Sequence, residues 1–442
     1  MLSSDSVGPL RKPTVSLRGL SMLKRSPRAV PLLVVSLLVA LSALVSWRIV
    51  DSLGLPLAAD EFNLAAWEVK NFPNKWLYEL GRLGKGGPSR EEADAAIQRY
   101  VALQSEVADL EDQLLRRPPS ENPAAGESDE LVQRLAEKRG ERDRLEGKVE
   151  AVLEERIGEE AADLGLRRTI PFFPQARWLF PPVDFKFDDT PRILVTSPRD
   201  RIYLRSAELL RSDLTLEEAL RLEEKTQGEN VSALVVASGG VATYPSIIPP
   251  MEDYAETLKL AAHEWLHQYL FFQPLGARYF DSEALRTINE TVADIAGEEL
   301  GGLVAQRYPL APSGEGTPTA TPERAPPPDD TFFVQTMRQL RLDVDRLLGE
   351  GRIAEAEALM EEKRQYLAEH GYFIRKINQA YFAFHGLYGT GAASSSPIGP
   401  KLEEIRQREP SLGEFIRAVS RVTSEADLDR LLAFLSGSAT PP

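Results

Sequence analysis

The stretch AAHEWLHQY (261–269) holds two of the four histidines found in 442 residues, four positions apart, with a glutamate directly after the first. Residues four apart lie on one face of a helix. His263 and His267 can therefore offer ring nitrogens to a single cation, with Glu264 beside them. The surrounding residues are strongly apolar: Leu258, Leu260, Ala261, Ala262, Leu266, Leu270 and Phe271. Burying two imidazoles and a carboxylate in such a helix is costly unless something pairs with them. The plain alternative is an ordinary buried helix, since a pattern with three fixed positions recurs by chance.

Working outward, the next helical pattern, TINETVADIAGEE (287–299), offers Glu290 and, one turn later on the same face, Asp294. Zinc needs one protein ligand beyond two histidines and an open position for catalysis, and Glu290 is a candidate. A solvated acidic face is the competing reading, because Glu283, Glu298 and Glu299 also occur there.

HEWLH (263–267) followed by NETVAD (289–294) resembles the zinc metallopeptidases of the gluzincin type, thermolysin-like and aminopeptidase-like. The 23 positions from His267 to Glu290 slightly exceed that family's usual interval. The rival pattern HExxHxxGxxH fails, because Leu270 and Gln273 stand where it needs glycine and histidine. The resemblance implies a zinc ion held by His263, His267 and Glu290, with Glu264 as general base. It also implies Asp294 as the carboxylate that orients a ligating histidine, and a peptide or protein substrate. A downstream Tyr or His supports the oxyanion in such enzymes. FIRKINQAYFAFHGLYG (373–389) supplies Tyr381 and His385 as candidates, on one helix face with Asn378, and Tyr388 three further on. Core filling by an aromatic helix is the alternative for each. Such enzymes place a substrate-binding edge strand before the first helix, a place taken here by ASGGVATYPSIIPP (237–250). Gly239 and Gly240 would let a peptide approach the backbone closely, and an ordinary hairpin explains them equally well. His370, ahead of Gly371, reads as a helix-end cap.

The rest of the chain sets the context. There are no cysteines, which excludes disulfides, iron–sulfur ligation and thiol nucleophiles. The net charge of -15 argues against nucleic acid as a partner. Residues 1–28 carry six basic side chains against Asp5, a net of +5, so everything after them carries -20. AVPLLVVSLLVALSALVSW (29–47) follows without a charge. It reads as a transmembrane helix, with the basic arm cytoplasmic and the bulk of the chain extracytoplasmic. A cleaved signal peptide is the alternative, with PLAAD (56–60) as a weak cleavage site. Phe62, Trp67, Phe72 and Trp76 suit either a membrane interface or the folded body.

Heptad spacing at Leu103, Val107, Leu110 and Leu114, and again at Leu131, Leu135, Leu145, Val149 and Val152, predicts two long helices joined by RRPPSENPAAGES (116–128). Such an antiparallel coiled-coil hairpin also permits self-association. Short β-branched runs at 191–197, 201–205, 231–238 and 241–246 predict strands. Between them lies a capped helix at 215–229, with Thr215 and Glu218 as capping box. Long helices are expected at 251–272 and 282–304, then a Pro-rich loop (309–330), then helices starting near 331, 352, 371, 411 and 425.

The expected fold is α+β. It runs from the basic arm (1–28) and transmembrane anchor (29–50), through an aromatic juxtamembrane segment (51–90) and helical hairpin (91–165), to a zincin-like core with a small mixed sheet (166–307). The Pro-rich loop (308–330) leads to a helical C-terminal part (331–437). The expected function is zinc-dependent peptide hydrolysis at a membrane. The alternatives are an inactive zincin-fold binding protein and a structural coiled-coil membrane protein.

Overall fold

A computed structural model describes residues 60–71, 87–116, 125–170, 173–310 and 330–437, all within the second of two compact units, Leu57–Pro442. It opens with the hairpin of α1 (Arg90–Leu115) and α2 (Ala125–Asp163). Ser89 starts α1 with a capping box closed by Glu92. The distal seam is apolar, formed by Val107, Leu110 and Leu135 with Leu114 and Leu131 alongside. Arg99 pairs with Glu141 at 2.7 Å and Lys138 with Glu106 at 2.6 Å across it. Exposed pairs of this kind contribute about 0–1 kcal/mol each, so the seam carries the association. Towards its base, Ile97, Tyr100, Val149, Leu153 and Ile157 merge into the main core. The hairpin is thus rooted in the body rather than being a separate module.

The strands are β1 (Arg168–Ile170), β2 (Phe173–Trp178), β3 (Phe185–Phe187), β4 (Arg192–Pro198), β5 (Ser206–Leu210), β6 (Val231–Ala237) and β7 (Ser246–Ile248), with α3 (Leu216–Thr226) before β6. The expected single mixed sheet is in fact three small sheets: antiparallel β1–β2, parallel β3–β7 and antiparallel β5–β4–β6. The outer edge of β3 is closed by α2. The Phe185 and Phe187 amides donate to Glu154 and Glu150, both at 2.8 Å. The run 201–205 is irregular, and pairing with β4 falls to SAELL (206–210), a sequence of helix formers held as strand by its partner. From 241 to 245 only Val241 bridges, to Ile247.

The helical half comprises α4 (Tyr254–Phe271), α5 (Pro274–Ala277), α6 (Glu283–Arg307), α7 (Asp330–Gly349), α8 (Ile353–Glu369), α9 (Gln379–His385), α10 (Ile398–Arg408), α11 (Leu412–Val419) and α12 (Glu425–Leu435). Alternation along β4 buries Leu194 with Ala219 of α3 and Val195 with Ala380 and Ala383 of α9, so the three-stranded sheet lies between those helices. The helix expected from 371 begins only at 379, and α10 lacks a counterpart in the sequence reading. His370 does cap α8, its ring donating to the Tyr366 carbonyl at 2.8 Å.

The expected fold class needs one correction. Among the described residues no helix is long and apolar enough to cross a membrane, so the expected transmembrane helix is not supported. The longest helix, α2, is studded with Glu, Arg and Lys, which the bilayer interior excludes. The anchor expected at 29–50 lies outside the described residues, as do Phe72 and Trp76. Trp67 belongs to the body: it is 9% exposed and its indole donates to Asp188 at 2.7 Å. The Glu61–Leu210 bridge adds the same segment to the edge of β5.

Candidate metal centre

Helices α4 and α6 run antiparallel: residues 259, 263 and 267 of α4 meet 301, 297 and 289–290 of α6. Each has a side-chain N-cap, Asp253 for α4 and Ser282 for α6. Between 261 and 270 only His263 and His267 escape full burial, so both rings border a cleft. The helices approach closely because α6 presents glycine. A Cβ at Gly297 would lie 2.8 Å from His263 Cα, and one at Gly301 would lie 2.5 Å from Lys259 Cα. Any side chain there would hold Glu290 away from the histidines.

His263, His267 and Glu290 bring one ligand atom each to within 4.8 Å of one another. His267 Nε2 lies 3.1 Å from His263 Nε2 and 3.4 Å from Glu290 Oε2. In a tetrahedral zinc site with bonds of about 2.0–2.1 Å, two donor atoms lie about 3.3 Å apart. The spacing therefore fits the ion. The chemistry also fits. His267 Nδ1–H donates to Asn289 Oδ1 at 2.8 Å, which leaves a lone pair on Nε2 facing a carboxylate oxygen. Electron-rich atoms so placed require a cation between them. Without a metal a proton serves: burial opposes the His267 cation, but the Glu290 carboxylate outweighs it and lifts His267 to about 9. Burial and the neighbouring His267 charge push His263 down to about 3, while its ring bonds the Ala293 backbone. Burial opposes ionisation of Glu290 as well, yet the two histidines and Tyr279 hold it down to about 2. The Tyr279 hydroxyl, on the connection between the helices, donates to Glu290 Oε1.

Glu264 packs against the segment after β6. It is 6% exposed, and burial raises its carboxyl to about 7, with His267 opposing. A Cβ on Gly240 would lie 2.4 Å from Glu264 Oε1, so only glycine allows the backbone after β6 to cover this carboxylate. Gly239 is more remote, its Cβ position touching only Leu260 at 3.9 Å. Gln268 secures the same segment by donating to the Ser246 hydroxyl at 2.7 Å.

Other expected neighbours are arranged differently. The partner of His267 is Asn289, not Asp294. Asp294 instead accepts from Thr390 at 2.8 Å, and Thr291 accepts from the Gly389 amide at 2.8 Å. Together they hold the turn at 388–390 against α6. That turn carries Tyr388, whose ring lies 6.2 Å from the His263 ring. Burial, with Glu290, Glu264 and Asp294 near, drives the Tyr388 hydroxyl well above its ordinary value, so it stays a proton donor. Tyr381 and His385 pack against each other, their ring centroids 4.3 Å apart and tilted by 43°. Tyr381 belongs to the α7–α8 core and to the sheet face of α9. No contact among the described residues joins either to the histidine–glutamate cluster, because α9 ends at His385 and the chain turns before Tyr388. Asn289 and Tyr388 both lie inside the motifs read from the sequence, while nothing in the sequence marked Tyr279. No protein-family model, curated protein or solved structure matches this chain, so the gluzincin resemblance stands on the site residues alone.

Proposed function

We propose that the chain is a zinc-dependent peptidase of gluzincin type. The observation that carries this reading is the convergence of His263 and His267 Nε2 with Glu290 Oε2, beside a buried Glu264. His263, His267 and Glu290 would hold the zinc, and Asn289 would fix the tautomer of His267. When bound, zinc supplies Lewis-acid polarisation of the scissile carbonyl and acidifies water beside it.

The chain's own groups complete the reaction. Glu264, with its carboxyl near 7, accepts a proton from the attacking water and passes it to the leaving amine. Tyr388 donates a hydrogen bond to the carbonyl oxygen as negative charge builds on it. Gly240 lets the backbone after β6 close over Glu264.

Metal analysis of the purified chain and hydrolysis of a casein-type substrate test the proposal together. One equivalent of zinc, lost in His267→Ala, is expected, and Glu264→Gln should retain the metal while losing hydrolysis. Undiminished hydrolysis by Glu264→Gln would exclude this mechanism. The raised His267 favours one competing reading, a metal-free imidazolium paired with Glu290. A wild-type protein that takes up no zinc would select it.

A further inference from the structure

On the far side of α4 a cleft of about 190 Å³ is lined by Arg167, Arg168, Arg177, Arg417 and Arg421. Five guanidinium groups in one cleft stand out in a chain of net charge -15. Arg168 and Arg417 are part-buried and the other three exposed; elsewhere several buried or part-buried arginines are matched by acids, as Arg156 is by Asp94 and Arg406 by Glu299. Among the described residues, no carboxylate forms an ion pair with any of these five, although Glu409 lies within electrostatic reach of Arg417.

Backbone and ring contacts hold three of them in place instead. Arg417 donates to the Leu164 and Gly165 carbonyls at 3.1 and 3.2 Å. Arg168 donates to the Phe272 carbonyl at 3.4 Å and lies 5.3 Å over the Tyr269 ring. Arg177 donates to the Arg167 carbonyl at 3.3 Å. Neutral acceptors fix these groups but leave their charges uncompensated. Like charges confined in one cleft repel, and an oxyanion entering it relieves that repulsion. Guanidinium forks match the oxygens of a phosphoryl group bidentately, and several together favour a dianion over a carboxylate.

We infer that this cleft is a binding site for a phosphoryl group, whether inorganic phosphate, a soluble phosphate monoester or a lipid headgroup. It is independent of the metal-centre reading, because it shares no residue with that site. The test is calorimetric titration of the full chain with inorganic phosphate, with acetate as the comparison anion. Saturable binding that weakens with added salt is expected. Affinity should fall at least about tenfold in Arg168→Gln/Arg421→Gln, since each lost charged hydrogen bond is worth about a factor of ten. In phosphate-free buffer the same variant should melt no lower than wild type, because removing like charges relieves repulsion. Arg177→Gln, at an exposed position, gives a second reading should the double variant fail to fold. Glycerol phosphate, and phosphatidylcholine vesicles with and without phosphatidic acid, separate the sources. Cosedimentation only with phosphatidic acid identifies a headgroup, and glycerol phosphate binding without cosedimentation identifies a soluble ester. The inference is overturned by absence of saturable phosphate binding, by binding unchanged in both variants, or by acetate binding as tightly as phosphate.

Discussion

Replacing Gly297 by alanine tests what sets the geometry of the candidate metal centre. The added Cβ would stand 2.8 Å from His263 Cα and 2.9 Å from His263 Cβ and N, all on the opposing helix. Carbon atoms settle at about 3.5–4.0 Å, so α4 and α6 must part by about 1 Å. Overpacking of this kind costs about 1–3 kcal/mol, against which alanine gains about 1 kcal/mol of helix propensity. The net loss of stability is therefore small, about 0–2 kcal/mol. The metal is less tolerant, since ligand distances must hold to about 0.2 Å. Zinc affinity should fall at least about tenfold while the protein remains folded. Gly302 on the same helix provides the control: nothing lies within 4 Å of its Cβ position. Gly302→Ala should gain up to about 1 kcal/mol and leave zinc untouched. Competition of each variant with a fluorescent chelator, beside chemical denaturation, reads both quantities. Wild-type zinc affinity in Gly297→Ala would refute the argument that close helix approach delivers Glu290.

Three further outcomes are expected. Asn289→Ala removes the acceptor for His267 Nδ1–H and should weaken zinc about 10–100-fold, with Asn289→Asp restoring much of it in the same chelator assay. Tyr388→Phe should lower kcat about a hundredfold with little change in KM, whereas Tyr381→Phe should leave peptide hydrolysis unaltered. Glu223 is buried, and although burial disfavours its charge, Arg375, the Val235 amide and Lys376 hold its pKa below 4.5. A depressed folded-state pKa contributes stability that is full above 4.5 and lost as pH falls through the lower folded value. Glu223→Gln should cost about 3 kcal/mol near neutral pH, and urea denaturation at descending pH should show the deficit shrinking below 4.5.

Part of the site was legible in the sequence, because helical spacing puts His263 and His267 on one face of an apolar helix that also buries Glu264. Glu290 stands on the next helix, and the gluzincin resemblance, not the period, singled it out as a ligand. Asp294 was misplaced for a related reason. Sharing a face with Glu290 does not determine whether a side chain meets α4 or the turn at 390, and only the docked turn decides. Tyr381 and His385 were read onto a helix that continued past 385. The chain turns at 386, so Tyr388 leaves that face and reaches the cleft instead. β5 was hidden because SAELL favours helix locally, and only the ladder to β4 makes it a strand. Gly240 was picked out as a place of close backbone approach, but what it approaches most nearly is Glu264.

The two glutamates of α2 that close the edge of β3 determine where this protein can be cut. Expression beginning at residue 166 would remove Glu150 and Glu154 and strip the Phe185 and Phe187 amides of these acceptors. It would also unroof Phe187, which stacks on Tyr100 of α1 at 4.9 Å. The smallest autonomously folding fragment must therefore keep the hairpin's lower half, and shortening is confined to its distal tip.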